Sequence, residues 1–233
     1  MTVKNRPKIM VVIPAFNEEQ SISKVINDIP KNWVNEVVVV SNNSTDQTID
    51  VARKAGATVL EENRKGYGWA CLKGIDYVKS KNAEIIVFLD GDYSDYPEQL
   101  PEIVKPILEQ DIDMVIGSRA LGNKEKGSMT FPQRFGNWLA TRLMRIFYRV
   151  RFTDLGPFRA IKTSALEKLE MADKTYGWTI EMQIKAAKYN LSFTEVPVDY
   201  KNRIGTSKVS GTVKGAVSAG IKIIFAIFKY KFV

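Results

Sequence analysis

Residues 85–92 read Ile85-Ile-Val-Phe-Leu-Asp-Gly-Asp92, an apolar run followed by two carboxylates with one glycine between them. A short, continuous apolar run of this kind predicts a strand that is buried on both faces. The two carboxylates then fall at the carboxyl end of the strand, which is where open α/β sheets bind their ligands. The stretch therefore predicts a parallel sheet and a polar site at its edge.

The same pattern continues on both sides of this stretch. Strands are expected over Ile9–Ile13, Val37–Val40, Thr58–Leu60, Ile85–Leu89, Met114–Ile116, Phe158–Ile161 and Phe193–Val198. Helices are expected over Glu18–Ile29, Asp46–Ala55, Tyr67–Val78, Pro97–Leu108, Arg134–Arg151 and Thr179–Lys188. Apolar strands that alternate with helices indicate the α/β class, a mostly parallel, Rossmann-like sheet with helices on both faces.

Polar clusters follow four of the expected strands. They are Pro14-Ala-Phe-Asn-Glu-Glu19, Ser41-Asn-Asn-Ser-Thr-Asp46, Asp90-Gly-Asp92 and Gly117-Ser-Arg119. An Asp-x-Asp pair alone is weak evidence, because such pairs are common in surface turns. Because parallel strands end at one edge of the sheet, we expect the four clusters to gather there. One carboxylate of such a pair can bind a divalent cation while the other reaches a ribose hydroxyl or a metal-bound water.

Composition narrows the chemistry further. The chain has no histidine and a single cysteine, Cys71, which we expect to pack as a small apolar residue. Ser-His-Asp and Cys-His mechanisms, and zinc sites that use imidazole, are therefore excluded. The remaining oxygen ligands suit Mg²⁺ or Mn²⁺. The formal net charge of +8 favours a partner that carries phosphate: nucleic acid, an anionic lipid surface or a phosphorylated small molecule.

The order and spacing of the motifs resemble those of family 2 glycosyltransferases with the GT-A fold. The motifs are Val12-Ile-Pro-Ala-Phe-Asn-Glu-Glu19, Asn43-Ser-Thr-Asp46, Gly66-Tyr-Gly68, Asp90-Gly-Asp92 and Gly117-Ser-Arg119. Two later segments are similar to the branch of polyprenyl-phosphate and dolichyl-phosphate sugar synthases: Asp154-Leu-Gly-Pro-Phe-Arg-Ala160 and Arg203-Ile-Gly-Thr-Ser-Lys208. The resemblance implies an inverting, metal-dependent hexosyltransferase that moves a sugar from a UDP- or GDP-sugar to an acceptor.

The resemblance also implies roles for individual residues. Donor binding is expected from Pro14, Ala15, Phe16, Glu18, Asn42, Arg64, Asp90, Gly91 and Arg119. Asp92, a catalytic residue in this scheme, is expected to bind Mg²⁺ or Mn²⁺ with Ser94, whereas Asp90 contacts the nucleotide. Contacts with phosphate or acceptor are expected from Arg134, Arg159, Trp178, Arg203 and Lys208.

Asn42 departs from the family pattern, which has an aspartate that contacts the base at this place. An asparagine amide can both accept and donate a hydrogen bond, so the choice between uracil and guanine stays open. The alternative is that Asn42 and Asn43 serve only the turn, since asparagine tolerates a left-handed backbone.

Gly66-Tyr-Gly68 matches part of a dinucleotide-binding motif, but the third glycine is absent because position 71 is cysteine. We expect instead that the glycines let the backbone approach the donor, with Arg64 and Lys65 near its phosphates.

The acceptor determines whether a general base is needed. A hydroxyl acceptor requires one, and Glu181 is the first candidate and Asp154 the second. A phosphate acceptor is already ionised, and the cations then matter more: Arg119, Arg134, Arg203 and Lys208. Glu181 can equally be a first-turn helix residue that the helix dipole favours.

Two segments are partly apolar and partly basic, Arg134–Arg151 and Thr212–Val233. Such helices can lie in a membrane interface, with Lys and Arg at the lipid head groups. We expect residues 1–211 to form the GT-A domain and residues 212–233 a C-terminal helix. If that helix meets a membrane, the acceptor is a lipid phosphate. If it packs on the core or forms a homodimer contact, a soluble or glycan hydroxyl acceptor stays open.

The N-terminus, Met1–Arg6, is polar, and the sequence has no apolar stretch of the ~18 residues that a membrane-spanning helix needs. We therefore expect a cytoplasmic protein, at the inner face of the membrane if its basic helices bind lipid.

Two other functional classes fit the sequence less well. The net charge would suit a nucleic-acid-binding protein, but no helix-turn-helix, RNP-type or zinc motif accompanies it, so nucleic acid is not an expected partner. A nucleotidyltransferase would need a glycine-rich basic signature early in the chain. Here the first strand ends in Pro14-Ala-Phe-Asn-Glu18 instead.

Overall fold

The computed structural model describes residues 6–205 and 213–232. The described chain contains the strands β1 (Ile9–Ala15), β2 (Glu36–Ser41), β3 (Thr58–Glu61), β4 (Ile85–Phe88), β5 (Met114–Ser118), β6 (Arg159–Lys162) and β7 (Phe193–Pro197). They form a seven-stranded sheet in the order β3-β2-β1-β4-β6-β5-β7. Each run predicted from sequence corresponds to a strand of this sheet. β1, β4 and β5 are buried along their whole length, whereas β3 and β7 are only partly buried.

The helices cover both faces of the sheet. They are α1 (Ile22–Asp28), α2 (Thr48–Lys54), α3 (Tyr67–Ser80), α4 (Leu100–Gln110), α5 (Phe131–Tyr148), α6 (Thr163–Leu169), α7 (Trp178–Lys188) and α8 (Val213–Phe232), with a 3₁₀ turn at Pro97–Gln99 before α4. Side chains of β1 alternate between the two layers: Met10 and Val12 pack with α3, whereas Val11 and Ile13 pack with α1 and α4. The predicted fold class is confirmed.

β6 is the exception to the parallel arrangement. It lies between β4 and β5 and runs antiparallel to both, with Arg159 opposite Phe88 and Ile116. The start of β6 therefore lies at the edge where β4 and β5 end. This reversal delivers the preceding segment, including Asp154, to the predicted ligand edge.

α5 begins with a capping box, in which Thr130 and Gln133 satisfy each other's backbone N–H groups. This start is three residues earlier than the predicted Arg134. α1 begins at Ile22, later than the predicted Glu18. Before the helix, Glu18 N donates a hydrogen bond to Thr48 Oγ1, and the Ser21 hydroxyl donates one to the Glu18 carboxylate.

α8 packs one side on the core through Ala226, Ile227 and Tyr230, whereas Ile221 and Phe225 are exposed. In the part of the chain that the structure describes, no helix combines the length and apolarity needed to cross a bilayer. The domain boundary expected at residue 211 falls in 206–212, outside the described residues.

Candidate active site

Two adjoining cavities open at the carboxyl edge of the sheet. The first, the β1 compartment, has about 310 Å³ and contains the end of β1 and the loop before α3. The second, the α5 compartment, has about 490 Å³ and contains the start of α5 and Ile223 of α8. Both are lined by Tyr67, Asp90, Asp92, Tyr176 and Arg203. The polar edge predicted from sequence is therefore a cleft with two parts and a shared acidic junction.

Most of the predicted donor-binding residues line the β1 compartment. They are Pro14, Ala15, Phe16, Glu18, Asn42, Asp90 and Gly91. They meet because β1, β2 and β4 are parallel neighbours and end at the same level of the sheet. Arg119 lines the α5 compartment instead, and Arg64 lines neither cavity.

Asp90 lies at the junction and accepts a hydrogen bond from the Tyr67 hydroxyl, 3.0 Å from its Oδ1. Burial, followed by the nearby Asp92 carboxylate, raises the pKa of Asp90 above its usual value. The carboxylate therefore favours a ligand that brings positive charge.

Asp92 is held from both sides. Its Oδ1 accepts hydrogen bonds from Ser94 N at 3.0 Å and Ser94 Oγ at 2.5 Å, and its Oδ2 lies 3.0 Å from Arg203 Nη1. Ile204 N donates to Asp92 O and Lys201 N donates to Ser94 O, so residues 201–204 lie alongside the Asp-Gly-Asp turn. This pairing places Arg203 at the junction.

Arg203 bridges the ends of two strands. Its Nη2 lies 3.1 Å from Glu18 Oε1, beyond β1, while Nη1 contacts Asp92, beyond β4. Its Nε–H is buried and has no hydrogen-bond partner in the described chain. Arg203, predicted to meet phosphate, is thus at the junction, with one donor still unused.

A divalent cation would find oxygen ligands here from Asp90, Asp92 and Ser94, the ligand type that Mg²⁺ and Mn²⁺ prefer. Within the described residues, however, no three acidic or thiol side chains converge on a metal position. The residues fit a cation that takes its remaining ligands from a bound diphosphate and water. Such a cation would also compete with Arg203 for Asp92.

Asn42 holds the loop before α3. Its Nδ2 donates to Glu62 O at 3.1 Å and to Arg64 O at 2.7 Å, and its Oδ1 accepts from Gly66 N at 2.8 Å. Both amide protons are used, so a base could reach only the remaining lone pair of Oδ1. The left-handed turn residue is Asn43, with φ 66°.

Arg64 contacts neighbouring side chains and lines neither cavity, so the structure does not place it with the other predicted donor-binding residues. Its guanidinium forms a fork with Glu62, with both contacts at 2.8 Å, and stacks 3.6 Å from the ring centre of Trp69. The hydrogen bond from Arg64 lowers the pKa of Glu62 to about 2. From this loop, Lys65 is the cation that lines the β1 compartment.

Gly66 lines the β1 compartment, whereas Gly68 lines neither cavity, and both glycines also lie against a protein segment. A Cβ atom at Gly66 would lie 2.1 Å from Lys174 O, and one at Gly68 would lie 2.0 Å from Asp173 O. Glycine is required at both positions because the loop between α6 and α7 packs directly against this backbone.

Asp154 is fully buried and forms a fork with Arg119, at 2.7 Å to Nε and 2.8 Å to Nη2. Its carboxylate also accepts from the backbone N–H groups of Arg119 and Leu155. Burial alone would raise the pKa of Asp154, but Arg119 and these hydrogen bonds hold it below its usual value. A carboxylate bound this way is a poor proton acceptor, which argues against Asp154 as the general base.

Glu181 lies outside both compartments and is fully buried. Its carboxylate accepts hydrogen bonds from Ala172 N, Asp173 N and the Tyr230 hydroxyl, and it pairs with Lys185. The structure places Glu181 in the first turn of α7, which was the alternative expected from sequence, and away from both compartments.

The predicted phosphate and acceptor residues are dispersed. Arg159 is fully buried, where it donates to the carbonyls of Gly156 and Thr179, and burial lowers its pKa to about 10. Arg134 is exposed and lines neither cavity. Trp178 lines the α5 compartment and packs edge-on against Phe88. Lys208 lies outside the described residues. Arg159 and Arg134 are therefore not brought to the cleft.

Three tyrosines of the cleft carried no predicted role: Tyr67, Tyr176 and Tyr200. Asp95 was also missed, although it follows closely on the Asp-Gly-Asp motif. It is 2% exposed, and neither carboxylate oxygen has a hydrogen-bond partner in the described chain. Burial raises the pKa of Asp95 well above its usual value.

Comparison with known proteins identifies the family and the fold of this chain. A family model described as glycosyl transferase family 2 matches residues 10–170. An uncharacterized glycosyltransferase of Mycobacterium tuberculosis is 33% identical over 91% of this chain and 94% of its own. An undecaprenyl-phosphate mannosyltransferase of Micrococcus luteus is 27% identical over 89% and 90%. The fold matches that of glucosyl-3-phosphoglycerate synthase from Mycobacterium tuberculosis, which was solved with Mn²⁺ and UDP. The TM-score is 0.78 at 23% identity, and the match covers 97% of this chain and 81% of that one.

Proposed function

The chain belongs to glycosyl transferase family 2, and from that premise we propose that it is an inverting, metal-dependent hexosyltransferase that moves a sugar from a nucleotide-sugar to a lipid phosphate. The observation that carries the proposal is the junction of the two compartments at Asp90, Asp92 and Arg203. A transferase needs two substrates in contact at one centre, and this junction provides such a centre.

The β1 compartment suits the donor. Pro14, Ala15 and Phe16 offer an apolar wall for the nucleoside, and Lys65 and Arg203 supply positive charge for the diphosphate. The sugar would then lie near Asp90 and Asp92, next to the α5 compartment. The donor is a UDP- or GDP-sugar, because asparagine in place of the family's aspartate at position 42 leaves the choice of base open.

In the proposed reaction, the acceptor oxygen forms a bond to the anomeric carbon from the face opposite the leaving group. The bond from that carbon to the diphosphate oxygen breaks, and the nucleoside diphosphate leaves with the electron pair. A cation held by Asp90 and Asp92 would stabilise the charge on the diphosphate. Tyr67 orients Asp90, and Arg203 is free to bind phosphate once it releases Asp92.

The state of the two candidate bases favours a phosphate acceptor. Both candidate bases, Glu181 and Asp154, are engaged in buried hydrogen bonds and ion pairs. A phosphate oxygen is already ionised near neutral pH and needs no base. The related undecaprenyl-phosphate mannosyltransferase supports the same choice.

The surface beside the α5 compartment suits a lipid. On α5, Phe131, Phe135 and Trp138 form a row of contacting, exposed rings, with exposed fractions of 71%, 51% and 52%. Arg142 lies over the Trp138 ring, and Phe225 of α8 is also exposed. Aromatic and basic side chains together are typical of the interface of a bilayer. The proposal therefore places the enzyme on the inner face of a membrane, with the lipid acceptor entering past α5.

The donor is tested by a thermal-shift screen of UDP-, GDP- and dTDP-sugars, each with Mn²⁺ and with EDTA. The choice of UDP and Mn²⁺ as first probes follows the solved structure of the same fold. We expect one base to raise the melting temperature in a Mn²⁺-dependent way, because a ligand of the native state stabilises it. No response to any donor would defeat the proposed function.

The acceptor is tested by incubation with the donor and either undecaprenyl phosphate in anionic vesicles or soluble hydroxyl acceptors. We expect product with the lipid phosphate, and loss of vesicle flotation in Trp138→Ser but not in Tyr189→Ser, an equally exposed aromatic at the end of α7. Product only with a soluble or glycan hydroxyl would support the alternative acceptor and exclude the lipid.

A further inference from the structure

The loop of residues 170–177, between α6 and α7, connects the C-terminal helix to the cleft. Thr175 contacts Lys222 of α8 through its hydroxyl. Tyr176 lines both compartments. The backbone of Asp173 and Lys174 packs against Gly66 and Gly68. One short loop therefore touches α8, the junction and the segment that begins α3.

Glu181 organises this loop from below. Its carboxylate accepts hydrogen bonds from Ala172 N at 3.0 Å and from Asp173 N at 2.7 Å. Lys185 lies 2.7 Å from the same carboxylate and donates to Glu170 O. Because Glu181 is fully buried, no water replaces these bonds if they break.

The same carboxylate holds α8. The Tyr230 hydroxyl donates to Glu181 Oε1 at 2.7 Å. Burial, and then the neighbouring carboxylate, raises the pKa of Tyr230, so its hydroxyl keeps the proton that it donates. The Glu181 carboxylate thus joins a helix with one exposed apolar side to a loop of the cleft.

On its far side the loop supports the donor-facing segment. Lys174 O accepts a hydrogen bond from Trp69 N at 3.2 Å, in the first turn of α3. The same turn carries Tyr67, which donates to Asp90. A continuous series of contacts therefore runs from Tyr230 through Glu181 and Lys174 to Asp90.

We propose that Glu181 is a positioning residue that couples the docking of α8 to the shape of the β1 compartment. When α8 is fully docked, Tyr230 and Glu181 hold the loop against Gly66 and Gly68, and Tyr67 keeps its place on Asp90. A ligand that pulls the exposed side of α8 away from the core loosens this arrangement. The coupling does not depend on which ligand the β1 compartment takes.

The test uses hydrogen exchange of the free full-length chain, with Tyr230→Phe and Glu181→Gln. The matched control is Tyr148→Phe, because the Tyr148 hydroxyl also holds α8, through Ile227 O at 2.5 Å, but does not touch Glu181. We expect Tyr230→Phe to speed exchange about tenfold at the amides of residues 66–69 and 172–173, the size expected for one lost buried hydrogen bond. Tyr148→Phe should speed exchange in α8 alone.

Equal effects of the two Tyr→Phe variants at residues 66–69, or an effect of Tyr230→Phe confined to α8, would overturn the coupling. If Glu181→Gln does not fold, the comparison of Tyr230→Phe with Tyr148→Phe decides whether the coupling exists.

A kinetic comparison adds a second readout with the donor identified in the thermal-shift screen. Tyr230→Phe should raise the donor KM about tenfold and change kcat little. The reason is that the lost hydrogen bond loosens the β1 compartment chiefly before the donor binds. Tyr148→Phe should leave both constants unchanged. If the wild type binds no donor, the proposed function fails, whereas the exchange result still decides the coupling.

Discussion

Arg119 and Arg203 both meet carboxylates in the cleft, but they do so in different ways. Arg119 forms a fork on the single carboxylate of Asp154, at 2.7 and 2.8 Å, with side chains 12% and 1% exposed. Arg203 divides its guanidinium between Glu18 and Asp92, at 3.1 and 3.0 Å, and is 26% exposed. A fork on one carboxylate is the stronger arrangement. A bridge between two acids can be opened by a ligand that offers a better partner.

The difference separates two uses of the same charged side chain. Arg119 neutralises a buried acid and keeps the segment before β6 at the edge of the sheet. Arg203 offsets part of the negative charge of Glu18 and Asp92, and in the proposed function a cation and a diphosphate would take its place. Four predictions test this difference between Arg119 and Arg203, beginning with the largest expected effect.

The largest effect is expected from Asp154→Ala, because the variant leaves Arg119 buried without a counterion. Loss of one partner of a buried pair costs about 3–5 kcal/mol of unfolding free energy. Arg203→Ala removes a more exposed, shared contact and should cost about 1 kcal/mol. Urea denaturation followed by circular dichroism measures both. Equal losses of unfolding free energy in the two variants would mean that the Arg203 bridge stabilises the fold as much as the Arg119 fork does.

The second effect concerns catalysis at the junction. Asp92→Ala should lower kcat/KM about 10³-fold with Mn²⁺ present, because the cation contributes several kcal/mol to the transition state. Asp76→Ala, which removes an exposed acid on α3, is the control and should retain full activity. Donor turnover with and without EDTA measures the effect. An Asp92→Ala variant that is fully active in metal-free buffer would exclude the proposed metal role.

The third effect tests whether Arg203 competes with the cation. Arg203→Ala frees Asp92 Oδ2, so Mn²⁺ alone should bind about tenfold more tightly, while the nucleoside diphosphate binds about tenfold more weakly. Electron paramagnetic resonance of free Mn²⁺ gives the first affinity, and calorimetry gives the second. Arg64→Ala is the matched control, since Arg64 lines neither compartment. If the affinities for Mn²⁺ and for the nucleoside diphosphate both rise or both fall, Arg203 does not compete with the cation for Asp92.

The smallest effect comes from a third arginine fork, Arg64 with Glu62, which has the geometry of Arg119 but an exposed guanidinium. The folded pKa of Glu62 falls from 4.5 to about 2, so its contribution to stability is complete above pH 4.5 and is lost as the pH falls towards 2. Glu62→Gln should remove that part of the acid dependence. The effect is small because water screens the exposed partner.

The test of Glu62→Gln is the free energy of unfolding of both proteins across this pH range. If the difference between them does not shrink as the pH falls, the fork does not contribute in the way proposed.

The strands and the ligand edge were predictable because they depend on local patterns. Ile85–Leu89 was predicted as a strand, and Ile85–Phe88 is one. The predicted donor residues Pro14 to Glu18, Asn42, Asp90 and Gly91 share a cavity because parallel strands end together. The family assignment, made from motif order and spacing, is confirmed by the match over residues 10–170.

Long charged side chains were less predictable. Arg64, Arg159 and Glu181 were each predicted to act in the site, yet none of the three side chains lines either compartment. The direction of such a side chain depends on which partner it finds, either near in sequence, as Glu62 for Arg64, or distant, as Tyr230 for Glu181. Gly66 and Gly68 show the same limit, because their close approach to residues 173–174 was not predicted, although Gly66 also lines the β1 compartment.

Sequence alone established the α/β class, the family and the acidic pair Asp90 and Asp92, because periodicity and motif spacing are local properties of the chain. Three-dimensional packing determined which distant residues those carboxylates contact: Arg203 on Asp92, and Tyr67 on Asp90, whereas Ser94 reaches Asp92 within one turn. The physical reason is that a buried charge must find a counterion or hydrogen-bond donor nearby in space. Which donor is near follows from the insertion of β6 and the course of residues 200–204, long-range arrangements that no short stretch of sequence encodes.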